Sequence, residues 1–180
     1  MKPWKLSVSI IIVSIIIVSI IIVSILLVAQ YILTFFVFKL PGWPLLQWAG
    51  WGIWVLALAF GFGPIFILRQ KGGVAKGKSY VETTRLVDTS LYAIVRHPQY
   101  LSGILFNLVL MLLAQHWLVA LLGVISAVLI WLDIQTADQD GIEKFGDEYR
   151  QYIQRVPQIN FLLGIFRLAK RKKAAGINNL

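Results

Sequence analysis

Leu6 to Phe38 reads LSVSIIIVSIIIVSIIIVSILLVAQYILTFFVF, 33 residues without one charge. As a helix they would extend about 50 Å, well past a hydrocarbon core of about 30 Å. No Pro or Gly interrupts the run, so one long or tilted helix fits better than two joined by a turn. Lys2 and Lys5 precede it as in a signal peptide, but the run is too long and has no small-x-small cleavage site. It reads as a retained anchor. Within it, Ser-Ile-Ile-Ile-Val begins at Ser9, Ser14 and Ser19, and Ser24 opens a degenerate copy. Five residues turn a helix by about 500°, so successive serines stand about 140° apart and form no single stripe. The repeat is expected to be a lipid-facing spacer.

The rest of the chain carries the same signature. Its 180 residues are 58% hydrophobic and only 14% charged, and the mean hydropathy is +0.77. That excludes an ordinary water-soluble globule and a disordered chain. With no Cys there is no disulfide, thiolate nucleophile or Cys-ligated metal, and two His leave little for a His-rich site. The expected class is all-α: a polytopic membrane helix bundle with four transmembrane helices and a C-terminal cytoplasmic amphipathic helical region.

Working outward from the anchor (6–38), a Pro-Gly-Trp-Pro turn at Pro41 to Pro44 leads to a second span over 45–68. Trp43, Trp48, Trp51 and Trp54 crowd its start, where indoles favour the membrane interface. These two spans form an N-terminal part, 1–68. The remainder, 69–180, divides into a polar loop (69–97), a helical hairpin (98–135) broken only at Gln115 and His116, and an amphipathic tail (138–180). Lys and Arg number two before the anchor, six in the 69–97 loop and eight in the tail, against Lys39 alone in the first turn. Sixteen of the seventeen thus fall on one side. The positive-inside rule makes that side, with both termini, cytoplasmic.

On that face, Gly72-Gly73-Val74-Ala75-Lys76-Gly77-Lys78-Ser79 matches the phosphate-loop expression. Its mechanism needs a buried strand before and a helix after. Here an apolar helix precedes it and Val81 to Val87 reads as extended, so a basic loop near headgroups is the better reading. Pro98 suits the first position of a helix and sets His97 near its N-cap, beside Arg96. A ligand carboxylate or phosphate would be favoured there, with Tyr92 and Tyr100 offering aromatic faces. The plainer alternative is a capped helix with a headgroup-binding Arg. His116 reads as an interfacial residue. Asp133 and Asp138 stand where the fourth span meets the cytoplasm, and an ionisable group at such depth is a functional candidate. Gly146-Asp147 reads as a helix stop followed by an N-cap. Finally, Phe161 to Leu168 is followed by Lys170, Arg171, Lys172 and Lys173, which fits docking on anionic lipid rather than nucleic acid.

Arg96-His97-Pro98-Gln99-Tyr100, with Phe145-Gly146-Asp147-Glu148-Tyr149-Arg150-Gln151-Tyr152 and Val156-Pro157, resembles the isoprenylcysteine carboxyl methyltransferase family and the wider phospholipid methyltransferase-like group. The resemblance covers about residues 80–160. It implies an S-adenosylmethionine-dependent enzyme working at the cytoplasmic membrane face on a lipid or prenylated acceptor, a carboxyl or an amine. It further implies that Thr84, Arg85, Leu86, Val87, Tyr92, His97, Pro98, Gln99 and Tyr100 contact the cofactor. The family's cofactor-binding Glu falls on Ala137, with Asp138 adjacent to serve instead, and its substrate-facing Arg falls on Asp133. An Asp there suits an amine or neutral headgroup better than a carboxylate. No metal is implied and no catalytic base stands out. The rival readings are an NADPH-dependent sterol-type reductase, which shares a His-Pro-x-Tyr pattern, and a non-catalytic lipid-binding scaffold.

Overall fold

The computed structural model describes the backbone of residues 3–38 and 42–177, and the side chains of 14–38 and 42–174. Lys39 and Pro41, assigned above to the first turn, lie outside the described residues. Every regular element is helical: α1 (Pro3–Ile32) with a π-helical turn (Leu33–Val37), α2 (Pro44–Lys71), a 3₁₀ turn (Ser90–Ala93), α3 (Pro98–Ala114), α4 (Trp117–Phe145), α5 (Asp147–Arg155) and α6 (Phe161–Ile177). No strand occurs among the described residues. Among the described residues three stretches are long and apolar enough to cross a membrane: Ser14–Val37, Pro44–Lys71 and Trp117–Phe145. The chain is an integral membrane protein. Helix α3 is also apolar but has 17 residues. At 1.5 Å per residue that is about 25 Å, short of a full hydrocarbon crossing.

The fold divides into two compact units, Met1–Val55 with Gly103–Asp133 and Leu56–Ser102 with Ile134–Leu180. In the first, Leu110, Ala114 and Val119 are buried beside Leu27, Leu33 and Phe38. Tyr31, Trp51, Val55, Val124 and Val128 are among many large apolar side chains left exposed, as expected of a surface bathed in lipid. Polar groups turn inward instead. Gln30 Nε2 donates to Asn107 Oδ1 (2.6 Å), whose own amide donates to Gly103 O (2.7 Å). Ser19 Oγ donates to Asp133 Oδ2 (2.8 Å), and both residues are buried. This corrects the spacer reading: at least one serine of the repeat faces protein. At the α3–α4 turn Gln115 adopts φ +48° and brackets Trp43 with two hydrogen bonds. His116 Nδ1 accepts from Leu118 N (3.2 Å), capping α4, and its ring stacks on Phe38 at 3.6 Å.

In the second unit, α4 continues to Phe145 and stops at Gly146, whose φ of +60° a side chain would resist. Helix α5 then starts at Asp147, so Gly146 and not Asp147 holds the cap position. Tyr149, Tyr152 and Val156 form a buried cluster with Leu86, Ile142, Phe145 and Ile153. The stretch Gly72–Ser79 leads into turns rather than a helix, and Gly72 O accepts from Thr84 N and Arg85 N. Neither the strand nor the helix of a phosphate loop is present there.

Candidate active site

The site grows from one buried carboxylate. Helix α4 carries Asp138 at a buried position, and five donors converge on it. Arg96 gives Nε to Oδ1 (3.2 Å) and Nη2 to Oδ2 (2.7 Å), a two-pronged pair. His97 Nε2 lies 2.7 Å from Oδ1, Tyr149 Oη donates to Oδ1 (2.8 Å), and Gln158 Nε2 donates to Oδ2 (2.7 Å). Arg96 Nη1 is satisfied in turn by the Val156 and Ile153 carbonyls. The backbone closes the knot: Arg96 N donates to Pro157 O (2.9 Å) and His97 N to Gln158 O (3.1 Å). The anion held at the start of α3 is therefore the protein's own Asp138.

Around this knot opens a cavity of about 280 Å³. Arg85, Leu86 and Val87 line it from the loop, Tyr92 from the 3₁₀ turn, Ala137 and Gly141 from α4, and Tyr149 and Tyr152 from α5; His97 and Arg96 form its floor. A Cβ at Gly141 would collide with the Tyr149 ring, so glycine lets that ring lie against α4. Tyr152 Oη donates to Tyr92 O (2.6 Å), fixing the 3₁₀ turn. Burial, reinforced by Tyr80, pushes the Tyr92 phenol above the ordinary tyrosine range. Burial and then the Asp138 charge do the same to Tyr149, and burial with Tyr149 and Tyr92 to Tyr152. All three are neutral at physiological pH, and Tyr149 and Tyr152 act as hydrogen-bond donors.

Of the residues picked from the sequence, Arg85, Leu86, Val87, Tyr92 and His97 line the cavity. Thr84 donates to Gly73 O (2.9 Å), Gln99 to Tyr80 Oη (3.1 Å), and the Tyr100 ring packs edge-on against His97 at 5.7 Å. Neither these three nor Pro98 is among the cavity-lining residues. Asp133 belongs to the other unit, where Ser19 is its donor. Gln158 was missed: a lone amide after Val-Pro has no spacing signal. Ala137 does line the cavity, at the position where a Glu stands in the family resemblance. Among the described residues no group of three His, Asp or Glu side chains could hold a metal ion.

Residues 74–140 match the isoprenylcysteine carboxyl methyltransferase (ICMT) family. The segment is ICMT-like. It contributes most of the cavity wall, from Val81 to Ala137, whereas Gly141, Phe145, Tyr149 and Tyr152 follow it. The chain is also similar to methanethiol S-methyltransferase 1 of Bradyrhizobium diazoefficiens, 33% identical over 116 residues, which cover 63% of this chain and 39% of that protein. The chain thus spans about 39% of the length of this curated relative. No solved structure matches the chain. Over residues 74–140 the matching family is the one that the sequence motifs resemble.

Proposed function

We propose that the chain is an S-adenosylmethionine-dependent membrane methyltransferase whose donor occupies the cavity around Tyr92, Arg85 and His97. The observation that carries this reading is that an ICMT-like segment folds into a walled, aromatic, partly cationic cavity. The lining chemistry fits the donor: Leu68, Leu86 and Phe145 give an apolar slot, tyrosine faces attract a sulfonium, and Arg85 makes no ion pair among the described residues. When bound, that donor supplies an electrophilic methyl group.

The chain's own residues orient and enclose. Arg85 would pair the donor's carboxylate, the neutral phenol of Tyr92 would offer a ring face without competing charge, and the Asp138 knot keeps His97 and Tyr149 fixed. Alignment and exclusion of water supply most of the acceleration in such a displacement. In this reading the chain crosses the membrane four times, with α3 as its short third span. The 1–68 part anchors it, 69–180 carries the chemistry, and both termini are cytoplasmic. The acceptor is lipophilic. The thiol named for the bacterial relative is a neutral acceptor, which favours an uncharged group over a prenylcysteine carboxylate.

The test is equilibrium binding of S-adenosylmethionine and of NADPH to detergent-solubilised protein, followed by labelled-methyl transfer. S-adenosylmethionine should bind and NADPH should not. Tyr92→Ala should weaken binding about tenfold, the value of one lost cation–aromatic contact. Label should enter membrane lipid, a prenylcysteine analogue or a small thiol. Binding of neither ligand, with no label in any pool, leaves only the scaffold.

A further inference from the structure

Below the 3₁₀ turn, in the second unit, lies a groove of about 330 Å³ lined by Arg155 of α5 and by Arg167, Lys170 and Arg171 of α6. Four cations face one space, and the remaining lining residues, Gln154 and Ala174, are uncharged. Among the described residues, Arg155 alone of the four has an acidic partner, Asp88, at 3.5 Å with both side chains nearly half exposed. Arg171 is held in place rather than neutralised: Nη2 donates to Ala93 O (2.8 Å) and Nε to Arg167 O (3.4 Å). Such convergence of like charge is unfavourable without an anion, and planar guanidinium groups match phosphate oxygens.

We propose that this groove binds the phosphate of an anionic membrane lipid. The choice of a lipid over a free phosphate rests on α6 itself, which exposes Leu162, Ile165 and Phe166 within two turns of Arg167. Apolar flank and cationic groove on one helix are what an acyl-bearing anion can satisfy together. The site deepens the lipid contact expected of the basic tail, and its existence does not depend on the proposed reaction. It does touch the reaction's machinery: Arg171 binds the carbonyl of Ala93, next to the Tyr92 that walls the cavity. An occupied groove braces that turn.

The experiment is native mass spectrometry of the full chain in detergent, titrated with dioleoylphosphatidic acid or with dioleoylphosphatidylcholine, with inorganic phosphate as competitor. Phosphatidic acid should be retained at least tenfold better than phosphatidylcholine. Arg167→Gln combined with Lys170→Gln should abolish the preference while leaving the far-ultraviolet spectrum unchanged. Displacement of the lipid by millimolar phosphate supports the assignment. Equal retention by wild type and variant overturns it, and so does phosphate binding without any lipid preference. S-adenosylmethionine binding, measured on the same samples, fails or succeeds separately and so distinguishes this site from the proposed activity.

Discussion

Asp138 satisfies five donors from four different side chains, and Arg96 in turn depends on it. Removing the carboxylate in Asp138→Ala leaves a guanidinium buried without its anion, a loss of about 3–5 kcal/mol. Unfolding in mixed micelles, followed by circular dichroism, should therefore shift strongly; a residue that only touched the donor would lower binding and leave stability alone. The phenols give a second expectation. Because burial raises Tyr92, Tyr149 and Tyr152, their contribution is complete below the free phenol range near about 10 and declines as pH climbs above it. The unfolding midpoint should hold through mild alkalinity, then fall, and Tyr152→Phe should blunt the fall. The sequence identified His97 and Asp138 separately, from a Pro-marked helix start and from depth in a span. Their 2.7 Å contact was not legible, since 41 positions separate them and no periodicity links them.

Among the elements, those with local punctuation were readable: α3 begins at Pro98, and α4 stops where Gly146 supplies a positive φ. Helix α6 shows what local reading omits. Its Gly164 sits against the Ile94 backbone, and a Cβ would overlap that carbonyl. Gly164→Val should lift α6 from the 3₁₀ turn, which faster tryptic cleavage at the Arg167–Lys173 cluster would report. Gly164 looks like a neutral position in an apolar run because its constraint comes from a segment 70 residues earlier. The serine repeat misled for a related reason. A 140° step excludes a stripe, yet one hydroxyl needs only one partner, and Ser19 finds Asp133.

For the whole molecule, composition decided the class, and an all-helical fold with three long apolar helices agrees with it. The proposed sidedness rests on the sixteen of seventeen cations that four spans would put on one face, and the absence of Cys makes it directly measurable. A single Cys at Lys76 should react with an impermeant maleimide only from the cytoplasmic side, and one at His116 only from the other. If α3 dips into the bilayer without crossing, both react from one side.

The hydroxyl that reaches Asp133 belongs to a sequence that repeats every five residues, so the anchor is notched like a rack. Excising Ile20 to Ser24 would slide Ser14 into the vacated tooth, and the carboxylate would regain its donor. Excising Ile20 alone would leave it facing a bare methyl flank. The five-residue cut should therefore assemble in membranes far better than the one-residue cut, although it removes more of the chain.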